Sequence, residues 1–247
     1  MRESFLKETE MKIAIVDSRI PRDAESALSC YVHKIFKLPP FAALQEPVSA
    51  HPDMLMFPTD GEIITNKRYA EENAGLIREL SELSGRKLVL DETDLAHTYP
   101  ADVRFNCFAA GGRLFGLSAA LSEKVICWAK SQSVTITNVR QGYAKCSACV
   151  VSHNAVITED ASIEKVLGEN GVDVLRVAPG CVSLDGYDCG FMGGASGADD
   201  ENVYFCGDIS THPNSNEIME FCLQHGKNCV SLGSGRLYDV GTIFFLE

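Results

Sequence analysis

The sequence predicts an α/β chain of five ββαβ units that closes into a ring through its own two ends. Three observations predict it. Five segments in which a turn leads into an apolar strand begin at His51, Tyr99, Gly142, Gly190 and Tyr238, spaced 48, 43, 48 and 48 residues apart. After each of the first four comes a tight-turn signal and then a return strand, which is a hairpin. The fifth unit lacks everything beyond its first strand, and the beginning of the chain supplies the missing parts.

The split unit starts the chain. Met11-Lys-Ile-Ala-Ile-Val16 reads as a strand able to pair with Thr242-Ile-Phe-Phe-Leu246, a helix follows through Ala24, Leu28, Tyr31 and Ile35, and Phe41-Ala-Ala-Leu44 reads as the closing strand. The inner strands follow the five turn segments, among them His51-Pro-Asp-Met-Leu-Met-Phe57 and Tyr99-Pro-Ala-Asp-Val-Arg-Phe105. Turns at Asp60-Gly61, Gly111-Gly112, His153-Asn154 and Asp199-Asp200 lead to return strands Glu62–Thr65, Arg113–Gly116, Ala155–Thr158 and Asn202–Phe205. The period then changes from two to about 3.6, as at Ala74, Ile77, Leu80 and Leu83. Val125, Ile126 and Ala129 mark the second helix, and Ile163, Val166 and Leu167 the third; Asn214-Ser-Asn-Glu217 fits a capping box opening the fourth. Outer strands follow at Lys87–Leu90, Val134–Thr137, Val172–Val177 and Cys229–Leu232. A doubly wound parallel sheet is the rival, but consecutive parallel strands need crossovers where this chain has four hairpins. Sharing one unit between both termini ties them down and leaves no open sheet edge.

The 247 residues, 45% hydrophobic and 23% charged, suit one domain over 11–247, with 1–10 read as a flexible N-terminal extension. A net charge of −12 repels nucleic-acid backbones and anionic membranes, so neither is an expected partner. The N-terminus carries charges where a signal peptide has an apolar run, so the ten cysteines are expected to be reduced and the protein cytoplasmic. Cys146-Ser-Ala-Cys149 looks like half a zinc knuckle. Read as part of a strand over Lys145–Val151, its cysteines point to opposite faces, so no metal and no cofactor are expected.

The stretches His51-Pro-Asp-Met54, Arg140-Gln-Gly-Tyr-Ala-Lys-Cys-Ser147 and Gly190-Phe-Met-Gly-Gly-Ala-Ser-Gly197 resemble an uncharacterised bacterial family assigned to the pentein fold, the five-unit α/β-propeller of guanidino-group-modifying enzymes. That fold includes deiminases, amidinotransferases and a ribosome-binding translation factor. The resemblance implies a nucleophilic cysteine at the start of the last inner strand, a histidine acid–base, and carboxylates that hold a guanidinium. Here that strand begins Asp239-Val-Gly-Thr242, without a cysteine, so the enzymes' catalytic residues do not carry over.

In a ring of this kind the approaches to the inner strands converge on the axis, where Asp53, Asp102 and Asp239 are expected to meet, with Lys145 between them. His51 is the expected acid–base and Cys146 the expected nucleophile; Asp188 is a further ligand-binding residue, with Asp185 and Tyr187 beside it. Plainer explanations stand next to these: aspartates that cap turns, a solvated loop histidine, a buried strand cysteine. The glycine-rich run 186–197 is followed by acidic and strand-like residues rather than a helix, which argues against phosphate binding and for close approach of neighbouring chain. Together these readings predict a small cationic or zwitterionic guanidino- or amino-acid-like ligand at the axis, with C–N hydrolysis as the reaction class. The alternative is a non-catalytic interaction module with a protein partner.

Overall fold

The structure is a computed structural model describing residues 11–247; the expected extension 1–10 lies outside the described residues. In chain order the elements are β1 (Ile13–Asp17), α1 (Arg22–Leu28), β2 (Lys34–Leu38), α2 (Pro52–Leu55), β3 (Met56–Pro58), β4 (Glu62–Asn66), α3 (Lys67–Glu72), α4 (Ala74–Ser84) and β5 (Lys87–Asp91). They continue with β6 (Phe108–Ala110), β7 (Arg113–Gly116), α5 (Glu123–Ser131), β8 (Thr135–Asn138), β9 (Ala148–Ser152), β10 (Ala155–Thr158), α6 (Ala161–Glu169) and β11 (Asp173–Arg176). The last are β12 (Ser196–Ala198), β13 (Asn202–Phe205), α7 (Ser215–Gln224), β14 (Asn228–Ser231) and β15 (Phe244–Leu246).

These strands form five three-stranded sheets, in the orders β15-β1-β2, β3-β4-β5, β6-β7-β8, β9-β10-β11 and β12-β13-β14. Each middle strand pairs antiparallel with a short inner strand and parallel with an outer one, the helix making the crossover. The first sheet joins the two ends of the chain: Ile13 pairs with Leu246 and Ile15 with Phe244. Middle strands are buried on both faces, which is why Ile13–Asp17 and Ala155–Thr158 are buried at every position and read as apolar runs. Four apolar clusters fill the space between sheets and helices, the largest around Phe41, Leu55, Ile64, Leu80 and Phe105.

Local chemistry sets the boundaries. Asn66, Ser122 and Asp160 cap their helices through side-chain oxygens that accept from Tyr69, Val125 and Ile163 amides respectively. The capping box expected at Asn214 does not form, because Asn214 Oδ1 instead accepts from the Ala178 amide at 2.9 Å and ties α7 to the loop after β11. In the shared sheet the outer strand is Lys34–Leu38, not Phe41–Leu44, and α1 stops at Leu28. Lys34-Ile-Phe-Lys-Leu38 extends beside β1 until Pro39-Pro40 ends the ladder. Among the described residues no helix is long and apolar enough to cross a membrane, and all ten cysteines are free thiols.

Candidate functional site

The segments that approach the inner strands are turns rather than strand. Pro52–Leu55 is a single helical turn, and β6, β9, β12 and β15 are each preceded by irregular chain. Their backbones are tied to one another in a belt of hydrogen bonds that returns to its start. Asn106 Nδ2 donates to the Asp53 carbonyl at 3.4 Å, and its Oδ1 accepts from the amides of Lys145 at 2.7 Å and Cys146 at 3.2 Å. The Cys146 carbonyl accepts from the Gly194 amide, the Gly194 carbonyl from the Thr242 amide, and the Gly241 carbonyl from the Asp53 amide. Glycines let these chains come this close: a Cβ on Gly241, whose φ is 65°, would overlap His51, and one on Gly194 would overlap the Asp239 carboxylate. Thr242, with φ 74°, is a β-branched residue in the left-handed region, a strained conformation that the belt enforces.

On this belt stands a cluster of buried polar side chains. Asp53 Oδ2 accepts from the Cys146 thiol at 3.0 Å and from the Thr242 hydroxyl at 2.9 Å, while its Oδ1 has no partner. His51 Nδ1 lies 3.8 Å from Asp239 Oδ1 and Nε2 lies 3.9 Å from Asp17 Oδ2, and Nδ1 has no hydrogen bond. Asp17 is held by Arg19 through Nη2 at 2.7 Å and Nε at 3.0 Å, a two-point carboxylate clamp. Asp239 accepts from the amides of Phe191 and Gly241.

Burial governs the protonation of this cluster. It lowers the His51 pKa against the pull of Asp239 and Asp17, which favours the neutral imidazole. It raises Asp53, whose hydrogen bonds from Cys146 and Thr242 oppose the rise, and it raises Asp239 against the pull of His51. Cys146 is pushed well up, by burial first and then by the charges of Asp53 and Asp239, so it is held as a thiol.

Two adjoining cavities share His51, Leu184 and Asp239 as a wall. One, of about 150 Å³, is enclosed by His51, Tyr143, Cys146, Tyr187, Phe191 and Asp239. The other, of about 220 Å³, is bounded by Asp17, Arg19, Glu46 and Asp185. Tyr143 stacks on Phe191 with ring centroids 6.3 Å apart and donates to Asp102 Oδ2 at 2.6 Å. Tyr187 donates to Gln45 across the mouth at 2.8 Å. Behind this wall Glu159 accepts weakly from the Met192 amide, 3.3 Å from each oxygen; burial raises its pKa to about 8, with Asp239 adding to the rise.

The structure brings together His51, Asp53, Cys146 and Asp239, links Lys145 to Asp53 through the Thr242 hydroxyl, and leaves Asp102 and Asp188 outside the cluster. Asp102 does not join the other two aspartates and reaches the cavity only through the Tyr143 hydroxyl. Lys145 Nζ donates to the Ala148 carbonyl and to Thr242, and it lines a different depression of about 420 Å³ that shares no lining residue with the smaller cavity. Asp188 is exposed and lines neither cavity of the His51 wall. The strand parity invoked for Cys146 and Cys149 fails, because Cys146 lies in the turn before β9; one donor atom each from His51, Asp53 and Cys146 falls within 4.8 Å of the others, a spacing a metal ion could use. Sequence reasoning missed Asp17, Asn106 and Glu159. Asp17 and Glu159 stand at the ends of middle strands, where a polar residue closing an apolar run was the available signal.

A family of unknown function, DUF6873, matches residues 15–244. The chain belongs to that family. No curated protein matches it. Among solved structures it is similar to DDAH from Pseudomonas aeruginosa in complex with citrulline, with a TM-score of 0.57 at 12% identity, covering 91% of this chain and 92% of that one. It is also similar to SxtG, an amidinotransferase from Microseira wollei in the saxitoxin biosynthetic pathway, with a TM-score of 0.54 at 11% identity, covering 91% and 89%. For an agmatine deiminase of C. jejuni with substrate bound, the values are 0.52 and 11%, covering 91% and 88%. At such identities the likeness carries the fold, which is the pentein fold.

Proposed function

We propose that this DUF6873 chain binds a small cationic or zwitterionic ligand of the guanidino or amino-acid kind in the cavity between His51, Asp239 and the aromatic wall, at the axis of five sheets set as the blades of an α/β-propeller. The observation that supports this most is a set of buried carboxyl groups whose charged forms burial disfavours. Asp53, Asp239 and Glu159 all have pKa values raised by burial, so an added cation beside them recovers electrostatic energy that the protein alone lacks. Lys145, the cation nearest Asp53, is turned towards the opposite depression, and Arg19 is committed to Asp17. A guanidinium in the cavity of about 150 Å³ would share it with Asp239 and with the aromatic rings of Tyr143 and Phe191.

The reaction class in this reading is C–N hydrolysis, which is supported by the agmatine deiminase among the structural neighbours. Burial and the neighbouring Asp53 raise the Cys146 pKa, which weighs against the nucleophilic role that the sequence suggested for it. The test is a thermal-shift series with arginine, agmatine and neutral amino acids, run with a chelator present, on parent, Asp239→Asn and Tyr143→Phe proteins. Arginine or agmatine should raise the parent's melting temperature and neutral amino acids should not, with the rise lost in Asp239→Asn. No shift by any of them would pass the fold to the interaction-module reading.

A further inference from the structure

Beyond the organic ligand, the same wall carries a second constellation. We propose that His51, Asp53 and Cys146 together bind one zinc-like divalent ion, with a fourth coordination position open to the cavity. Their donor atoms lie within 4.8 Å of one another, and the Cys146 sulfur is 3.0 Å from Asp53 Oδ2. Neighbouring ligands of a tetrahedral ion sit about 3.3–3.8 Å apart, given metal–ligand bonds of about 2.0–2.3 Å, so side-chain adjustments suffice. The imidazole, carboxylate and thiolate set is the mixture that selects zinc over calcium or magnesium.

Two features show donors without an occupation. Among the described residues, Asp53 Oδ1 and His51 Nδ1 find no hydrogen-bond partner, and their residues are only 0% and 1% exposed. Such orphans are costly unless something satisfies them. The donors are also pre-positioned, since the Asp53 amide is fixed on Gly241, the Cys146 amide on Asn106 and the His51 side chain against Gly241.

The surroundings fit the ion as well. Whichever ring nitrogen of His51 takes it, the other faces a carboxylate, Asp239 from Nδ1 or Asp17 from Nε2, the outer-shell arrangement that orients a ligating histidine. In formal charge, a divalent ion and Lys145 balance Asp53, Asp239 and a Cys146 thiolate whose proton leaves to solvent. Three protein ligands leave one position, and both His51 and Cys146 line the cavity, so that position receives water or the ligand itself. His51 is then a metal ligand rather than the acid–base group the sequence suggested.

The experiment is a zinc titration by calorimetry on chelator-stripped full-length protein, paralleled by cobalt(II) with absorption spectra. One ion per chain and a thiolate-to-cobalt charge-transfer band are expected. Cys146→Ser should abolish the band and weaken zinc by at least about a hundredfold, while Cys149→Ser leaves both unchanged. No binding, binding that survives Cys146→Ser, or binding lost in Cys149→Ser would overturn the assignment. If Cys146→Ser fails to fold, the parent's cobalt spectrum decides: a tetrahedral thiolate spectrum supports the site and its absence overturns it. The titration contains no guanidino ligand and the thermal-shift series contains chelator, so either proposal can fail without the other.

Discussion

Replacing Glu159 by Gln should stabilise the protein at alkaline pH and flatten its pH dependence. Glu159 follows β10 and accepts from the Met192 amide, and burial raises its pKa from the usual 4.5 to about 8. A carboxyl with a raised pKa holds its proton more tightly folded than unfolded. Its contribution is therefore fully present below about 4.5 and is lost as pH rises towards and through about 8. One pH interval within that window is worth about 1.4 kcal/mol for a single group. Summed, and discounted for the part of the carboxyl that solvent still reaches, the loss is about 4 kcal/mol. The isosteric amide keeps the contact with the Met192 amide and cannot ionise.

The assay is urea unfolding of parent and variant from pH 4.5 to 9, read as the difference between the two curves. Asp53 and Asp239 are raised too and tilt both proteins in the same direction, so only the difference isolates Glu159. The difference should grow with pH and level off above about 8. Arginine or agmatine bound next to Asp239 should lower the midpoint of that difference, since a nearby cation favours the carboxylate. Curves that run parallel across the whole range would refute the reasoning.

Other positions give sharper local tests. Gly241→Ala, which places a Cβ in the left-handed region and into His51, should destabilise by more than about 2 kcal/mol and remove the arginine shift; Gly75→Ala in α4, with open space around it, should be neutral or stabilise by up to about 1 kcal/mol, both read from thermal melts. Asn106→Ala strands two buried amides, those of Lys145 and Cys146, and should cost about 3 kcal/mol in urea unfolding; a loss below about 1 kcal/mol would show that the belt does not depend on it.

The middle strands were legible because burial on both faces writes them as uninterrupted apolar runs. The expected bounds of β7, β10 and β13 coincide with those in the structure. The approach segments were not, because their conformation is set by hydrogen bonds to chain far away in sequence, including the bond from the Asp53 amide to the Gly241 carbonyl, rather than by their own propensity. Met54 and Leu55 are apolar enough to read as strand, yet they sit in a helical turn whose first N–H, that of Asp53, donates to the Gly241 carbonyl.

That turn also explains which site residues were found. The sequence reading treated Asp53, Asp102 and Asp239 as equivalent because each closely follows a turn signal, although β6 begins later after its signal than β3 does. Counting back from the observed strand starts gives a different alignment. The residue five before each inner strand is His51, Val103, Tyr143, Phe191 or Asp239, and all but Val103 line the cavity of about 150 Å³. The residue two before is Met54, Asn106, Cys146, Gly194 or Thr242, the level at which the hydrogen-bonded belt runs. Asn106 therefore corresponds to Cys146 and Thr242, and Tyr143 to His51, while Asp102 has no counterpart at either level. The register depends on where each turn releases the chain into its strand, and that point is fixed by the neighbouring segments of the belt, so a reading of one segment at a time could not supply it.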